Sequence, residues 1–216
     1  MNQINPSIHF PQGFAVNDLD ELLNYLPPPL RNHSRRVAVC SSIMAEHAGE
    51  VIRFFDMPVG SSFPVIVHLG ATCHDIGKLL LPTISTDTAD YVRHPAIGAE
   101  LLERHKNDLF EDGIPLEMIL DIVRYHHERP DGSGLPDGLN AKRIPFAAAI
   151  CAVADSLDYR LCLLIEDEDS EADEVNGVLE DMLSQEDTVF CQSALGCLER
   201  AWPYLVEKYV SWRGRI

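Results

Sequence analysis

The sequence predicts an all-α helical bundle. Three observations point there. Apolar residues recur at steps of three and four along several segments, the period of one helix face. No strand-like alternation dominates any stretch. Segments dense in Gly, Pro and Asp separate the periodic ones, as connecting loops do. The chain has 216 residues, 46% of them hydrophobic. That length gives one domain, or one domain with an appendage, and no internal repeat is evident.

Residues 1 to about 15 carry no clear period and read as an arm. A short helix is expected from Asp18 to Tyr25, with Asn17 as its cap. Pro27, Pro28 and Pro29 break it, because proline lacks the donor and clashes with the preceding turn. A long helix begins near Arg31, carries His33, Val37, Val39 and Ile43, and runs through about Phe55. MPVGSSFP is a loop, and VIVHLGATCHDIGK reads as a buried helix ending near Gly77.

From Thr88 to His105, Tyr91, Ile97, Leu101 and Leu102 recur at helical steps, which puts Pro95 in or near a first turn. Leu116 to His127 continues the pattern. ERPDGSGLPDGLNAKRIP is a loop. PFAAAICAVADSLDYRLCLLI is an apolar helix, with Asp155 as a polar intruder. The composition changes at Glu166, where EDEDSEADEVNGVLEDMLSQED contains many acids and no Lys or Arg. Such a run predicts a solvated loop or an exposed helix face. Leu198, Trp202, Leu205, Tyr209 and Trp212 mark a final amphipathic helix, whose tryptophans read as packing. The expected division is an arm and short helix over 1–30, a main domain over 31–165, and an acidic segment with a C-terminal helix over 166–216, packed on the same domain.

The formal net charge is −17. A general nucleic-acid binder needs a basic face to replace counterions, so extended nucleic acid is excluded as a partner. A small anionic substrate is not, because bound divalent metals and a few local cations reverse the field inside a pocket. No stretch is long and apolar enough for a membrane span, and the N-terminus lacks the basic start and apolar core of a secretion signal. The cysteines Cys40, Cys73, Cys151, Cys162, Cys191 and Cys197 form no CxxC pair. They read as small buried hydrophobes in a reducing cytoplasm. Cys73 precedes His74, so its oxidation is expected to disturb whatever His74 does.

The polar residues that carry chemistry are His33, the dipeptide His74-Asp75, His94, the pair His126-His127, and Asp155. Imidazole nitrogens and carboxylate oxygens hold catalytic transition metals. Adjacent ligands on a helix point about 100° apart, so each pair can serve two neighbouring ions. Asp155 is the most telling by chemistry, since a carboxylate amid AAAICAVADSL is costly to bury unless paired or metal-bound. A buried salt bridge is the alternative. His47, His68 and His105 read as structural histidines, and His9 lies on the arm.

In order, the strings HSRRVA, HDIGK, HPAIGAELL, HHERPDGSGLP and IPFAAAICAVADSLD resemble the HD superfamily of metal-dependent phosphohydrolases, specifically its HD-GYP branch. The likeness covers roughly residues 30 to 160. It implies a first metal held by His33, His74, Asp75 and Asp155, and a second that adds His94, His126 and His127. The ions are expected to be iron or manganese, with nickel or zinc as alternatives. Asp75 would bridge them and orient the attacking water, and Lys78 would contact substrate phosphate. Arg129, Gly134, Leu135 and Pro136 would complete the substrate side. The chain departs from the family where Leu135 stands for the tyrosine of GYP, which removes a hydroxyl and an aromatic face. Pro29 stands where some members carry a third-metal glutamate, which favours two metals. Asp87 and Asp90 are unassigned carboxylates near the site in sequence.

The resemblance implies a bacterial signalling enzyme, a phosphodiesterase that cleaves cyclic di-GMP by attack of metal-activated hydroxide on phosphorus. Leu135 and the chain's own C-terminal part keep a second reading open, hydrolysis of another nucleotide or phosphate ester. The acidic segment 166–187 keeps open a third, a catalytically weak module that docks with a partner regulator.

Overall fold

The structure, a computed structural model, describes residues 19–49, 62–81, 91–166 and 172–212. Among these residues the regular elements are all helical. His9, Asn17, Asp87 and Asp90 lie outside them.

Helix α1 (Leu19–Asn24) buries Leu22 and Leu23. Helix α2 (Pro28–Glu46) begins three residues before the predicted Arg31, because Pro28 and Pro29 occupy its first turn. There the missing N–H has no partner to lose and the fixed φ suits the helix. The prolines therefore start this helix as well as end the one before. It ends at Glu46, and the predicted continuation from residue 50 to Phe55 lies outside the described residues.

Helix α3 (Phe63–Cys73) stops before the His-Asp pair, and a 3₁₀ turn follows over Ile76–Leu80. The single helix expected to end near Gly77 is thus broken at His74. The reason is tight packing: a Cβ on Gly77 would fall on the carbonyl oxygen of His94 and beside the amide of Gly98. Only glycine lets that turn approach the next helix so closely. A second 3₁₀ turn, Tyr91–Arg93, leads into α4 (His94–Arg104), with Pro95 in its first turn as expected. The short α5 (Lys106–Leu109) and the amphipathic α6 (Leu116–Tyr125) follow. His126 and His127 sit just past α6. Helix α7 (Phe146–Glu166) is the predicted apolar helix, α8 (Ala172–Leu183) forms within the acidic segment, and α9 (Gln192–Trp212) ends the described chain.

Apolar burial supplies the stabilisation, about 1.5–3 kcal/mol for each large side chain removed from water. It is organised in two cores. One gathers Val37, Met44, Phe63, Ile150, Leu157 and Leu198 from α2, α3, α7 and α9. The other gathers Leu22, Ile66, Leu102, Ile119 and Val123 from α1, α3, α4 and α6. Helices α3 and α6 feed both, and Ile122 of α6 lies against Gly70 of α3. Their C-terminal ends carry His74 and His126 into the seam between the cores.

All six cysteines are free thiols. Burial pushes the Cys73 thiol up to about 12, which suppresses the thiolate that oxidation needs. The expected redox sensitivity of the site through Cys73 therefore has no support in its surroundings. Among the described residues, no helix is long and apolar enough to cross a membrane.

Candidate metal centre

The histidines and aspartates singled out in the sequence converge from five helices and turns. His33 comes from α2, His74 and Asp75 from the end of α3, His94 from the start of α4, His126 and His127 from the end of α6, and Asp155 from α7. They form two groups of potential ligands, His33 with His74 and Asp75, and His94 with His126 and His127.

Asp75 stands between the groups. Its Oδ1 lies 3.1 Å from His94 Nε2, and its Oδ2 lies 3.5 Å from His74 Nε2 and 3.9 Å from His33 Nε2. Asp155 Oδ1 joins the first group at 3.0 Å from His33 Nε2 and 3.8 Å from His74 Nε2.

Three of the rings are aimed by their other nitrogen. His74 Nδ1–H donates to the Ala71 carbonyl at 2.7 Å, His94 Nδ1–H to Tyr91 at 2.6 Å, and His126 Nδ1–H to Val123 at 2.8 Å. A carbonyl can only accept, so in a neutral ring each Nε2 presents a lone pair to the centre. His94 Nε2 and His126 Nε2 then face each other at 3.3 Å with no proton between them. His74 Nε2 and His127 Nε2 are buried with no hydrogen-bond partner at all. Opposed and orphaned lone pairs in a buried site are unfavourable unless a cation takes them. The donor set therefore fits divalent transition metal ions, with the outer hydrogen bonds that such ligands carry.

The electrostatics agree. Burial holds His74 and His126 below the usual imidazole range, and His127 down to about 4, which keeps these rings in the neutral, ligating form. His33 is the exception. Burial lowers its pKa, but the carboxylates of Asp155 and Asp158 outweigh burial and raise it to about 10. The charge that holds a proton there would hold a metal cation in its place. Burial also works against the Asp75 carboxylate, yet the adjoining imidazoles and Lys78 keep it ionised well below its usual range.

Lys78 Nζ donates to Asp75 Oδ2 at 2.6 Å and lies 4.8 Å from the centroid of the Tyr91 ring. The ammonium is directed at Asp75, because the 3₁₀ turn brings a side chain three residues on back over the aspartate.

A cavity of about 450 Å³ opens beside the imidazole group. His126, His127 and Asp155 line it together with Arg129, Gly134 and Leu135. Pro136 lines a separate groove between α4 and α6 instead, and Leu135 borders both. The loop holding these residues is braced by Glu128. Its buried carboxylate accepts the Asp137 N–H and the Leu139 N–H, each at 2.7 Å. A Cβ on Gly134 would overlap the backbone of Glu128 and Arg129, so glycine is required where the loop folds back on itself.

Sequence reasoning missed several contributors. Asp158 is 1% exposed and accepts from His33 Nδ1–H at 2.8 Å and from Arg36 Nε at 2.8 Å. It was visible as a second carboxylate in the same apolar helix, three residues after Asp155. Tyr91, and Val189 and Phe190 from beyond the acidic segment, line the cavity without any signal of their own in the sequence. His47 and His105 lie elsewhere, in local contacts with Ile43 and Asp108.

Residues 30–160 match the HD domain family. The chain belongs to the HD domain family. Among curated proteins, it is 38% identical over 105 residues to the cyclic di-GMP phosphodiesterase response regulator RpfG of Xanthomonas campestris, covering 44% of this chain and 26% of that protein. It is 33% identical over 149 residues to a cyclic di-GMP phosphodiesterase of Thermotoga maritima, covering 65% of this chain and 36% of that protein. The chain thus spans about a quarter to a third of the length of these relatives. The crystal structure of the HD domain of the L. monocytogenes phosphodiesterase PgpH superposes with a TM-score of 0.53 at 17% identity, covering 87% of this chain and 98% of that one. That likeness establishes the all-α HD fold.

Proposed function

We propose that the chain is a metal-dependent phosphodiesterase of the HD-GYP type that hydrolyses a cyclic dinucleotide, with cyclic di-GMP as the first candidate substrate. The observation that carries this reading is the pair of ligand groups joined by Asp75, with the His94 and His126 lone pairs opposed at 3.3 Å. His33, His74, Asp75 and Asp155 would hold one ion, and His94, His126 and His127, with the other oxygen of Asp75, the second. When bound, two such ions supply an acidified water as nucleophile and positive charge for the phosphoryl oxygens. Iron or manganese suits the donors, and nickel or zinc is compatible with them.

The chain's own residues do the rest. Asp75 divides its oxygens between the two groups and orients the nucleophile by its lone pairs. The adjoining imidazoles of His74 and His94, together with Lys78, hold that carboxylate ionised. Arg129, exposed at the cavity wall, is placed to meet a non-reacting phosphate. Gly134 and Leu135 line the part of the cavity where a base would lie, and Tyr91 lines the same cavity. The two relatives named as cyclic di-GMP phosphodiesterases support this choice of substrate. The six free thiols, four of them buried, suit the reducing cytoplasm, where we place the protein. Leu135 favours one second reading, another cyclic dinucleotide or phosphate ester accepted in the same centre.

The test is metal counting and turnover on one sample purified without oxygen, with cyclic di-GMP cleavage followed by chromatography. Near two ions per chain and cleavage that disappears in Asp75→Ala is the expected result. Two ions without cleavage would move the search to other phosphate esters or to a docking module. No bound metal under any loading condition would overturn the reading.

A further inference from the structure

We propose that Tyr209, on the C-terminal helix, is a positioning residue for the metal centre, acting on His33 through Asp158. This inference rests on the metal-centre reading above. Tyr209 belongs to α9, outside the 30–160 stretch that matches the family. Its hydroxyl is nonetheless part of a buried chain that ends at a ligand. Tyr209 O–H donates to Asp158 Oδ1 at 2.7 Å, and Asp158 Oδ2 accepts from His33 Nδ1–H at 2.8 Å. His33 Nε2 then faces Asp155 at 3.0 Å in the first ligand group. Tyr209 and Asp158 are 2% and 1% exposed, so water does not substitute for either partner.

The direction of each bond is set. Cys40 Sγ–H approaches the Tyr209 oxygen at 3.5 Å and fills its acceptor side, so the phenolic proton goes to Asp158. Arg36 donates to both oxygens of Asp158, Nε to Oδ1 at 2.8 Å and Nη2 to Oδ2 at 3.0 Å. The fork balances the charge and places one donor on each oxygen. The carboxyl torsion of aspartate is soft. A second donor on Oδ1 fixes the carboxylate plane, and with it the place of Oδ2 and of the imidazole that Oδ2 holds. Tyr209 is held in turn by the Trp212 ring, edge-on at 5.0 Å between centroids. A ligand inside the matched stretch is thus aimed by a helix that lies outside it.

The test is titration of Mn²⁺ into metal-stripped full-length protein, with both binding events resolved by calorimetry and electron paramagnetic resonance. His33→Ala and His126→Ala identify which event belongs to which group. Tyr209→Phe removes only the hydroxyl. It is expected to weaken the ion of the His33 group roughly tenfold and to leave the other within about twofold, as loss of an outer hydrogen bond does. Leu205→Val, a packing change on the same helix, is expected to lower thermal stability without moving either affinity. Unchanged Mn²⁺ affinity in Tyr209→Phe, equal weakening of both ions, or equal weakening by Leu205→Val would overturn the proposal. If Tyr209→Phe does not fold, Asp158→Ala decides: Tyr209 acts only through that carboxylate, so an unchanged affinity of the His33-group ion in Asp158→Ala would overturn the proposal. Where both fold, the hydroxyl has nothing left to aim once the carboxylate is gone, so the double variant should match Asp158→Ala, and multiplying losses would refute the inference. A wild-type protein that takes up no Mn²⁺ defeats the metal-centre reading itself, whereas an indifferent Tyr209→Phe in a Mn²⁺-binding protein defeats this one alone.

Discussion

The two ligand groups share Asp75 but are built on different principles. The group of His33, His74 and Asp75 is anionic: Asp155 adds a second carboxylate at 3.0 Å, and Asp158 stands behind His33 as a third. The group of His94, His126 and His127 is all imidazole, with two of its rings aimed by backbone carbonyls. One side is therefore anchored chiefly by carboxylate charge, the other by neutral rings held at helix ends, and both reach the cavity, through Asp155 on one side and His126 and His127 on the other. The difference assigns tasks. The anionic side is fitted to retain an ion, and the imidazole side to hold one next to substrate.

The shared residue gives the largest expected effect. Asp75→Ala removes an oxygen from each group and leaves Lys78 buried without its partner. Turnover of cyclic di-GMP should fall about a thousandfold or more, because groups acting as a unit fail together. Metal analysis should show both ions weakened. Loss of one ion only would mean that Asp75 belongs to a single group.

His126→Ala separates the groups. It opens only the imidazole side, so one ion should remain by metal analysis. Removing an ion's share of charge stabilisation, several kcal/mol, should lower kcat by on the order of a hundredfold. Loss of both ions would show that the anionic side does not retain metal on its own.

How much of this was legible beforehand follows the same division. The residues that cluster in both groups were readable from residue type and order, since polar residues in apolar helical segments stand out. Their grouping around Asp75 followed only from the family resemblance; the geometry behind it, the break after Cys73 and the approach of Gly77 to His94, carries no signal in the residues themselves. The helix starts at Pro28 and His94 show the same weakness: proline marks a boundary, and packing decides which side of it is helical. Asp158 offered a readable anomaly, whereas Tyr209 and Phe190 did not. An aromatic at a core position looks the same in sequence whether or not its hydroxyl or edge reaches a site.

The imidazole side also depends on the loop that leaves His127. Glu128→Ala withdraws the acceptor from two backbone N–H groups and should cost about 2 kcal/mol of stability, read by denaturant unfolding. Because Gly134 and Leu135 ride on that loop, KM should rise several-fold. The anionic group lies elsewhere, so its ion should stay. A matching loss of that ion would show that the two sides are not separately braced.

Leu135→Tyr is the mildest change and the sharpest probe of the substrate side. Leu135 is 42% exposed on the cavity wall, and its N–H is tied to the His127 carbonyl at 3.0 Å, so a larger ring can point outward without disturbing the loop. Metal content and stability should stay at wild-type values. The added aromatic face should lower KM for cyclic di-GMP by about threefold to tenfold, the scale of one stacking contact on a base. If KM does not move while the protein cleaves cyclic di-GMP, the base is held from the Tyr91 side of the cavity. If KM rises instead, leucine is the fitted residue here, and the wall is shaped for a smaller or differently placed group than a guanine.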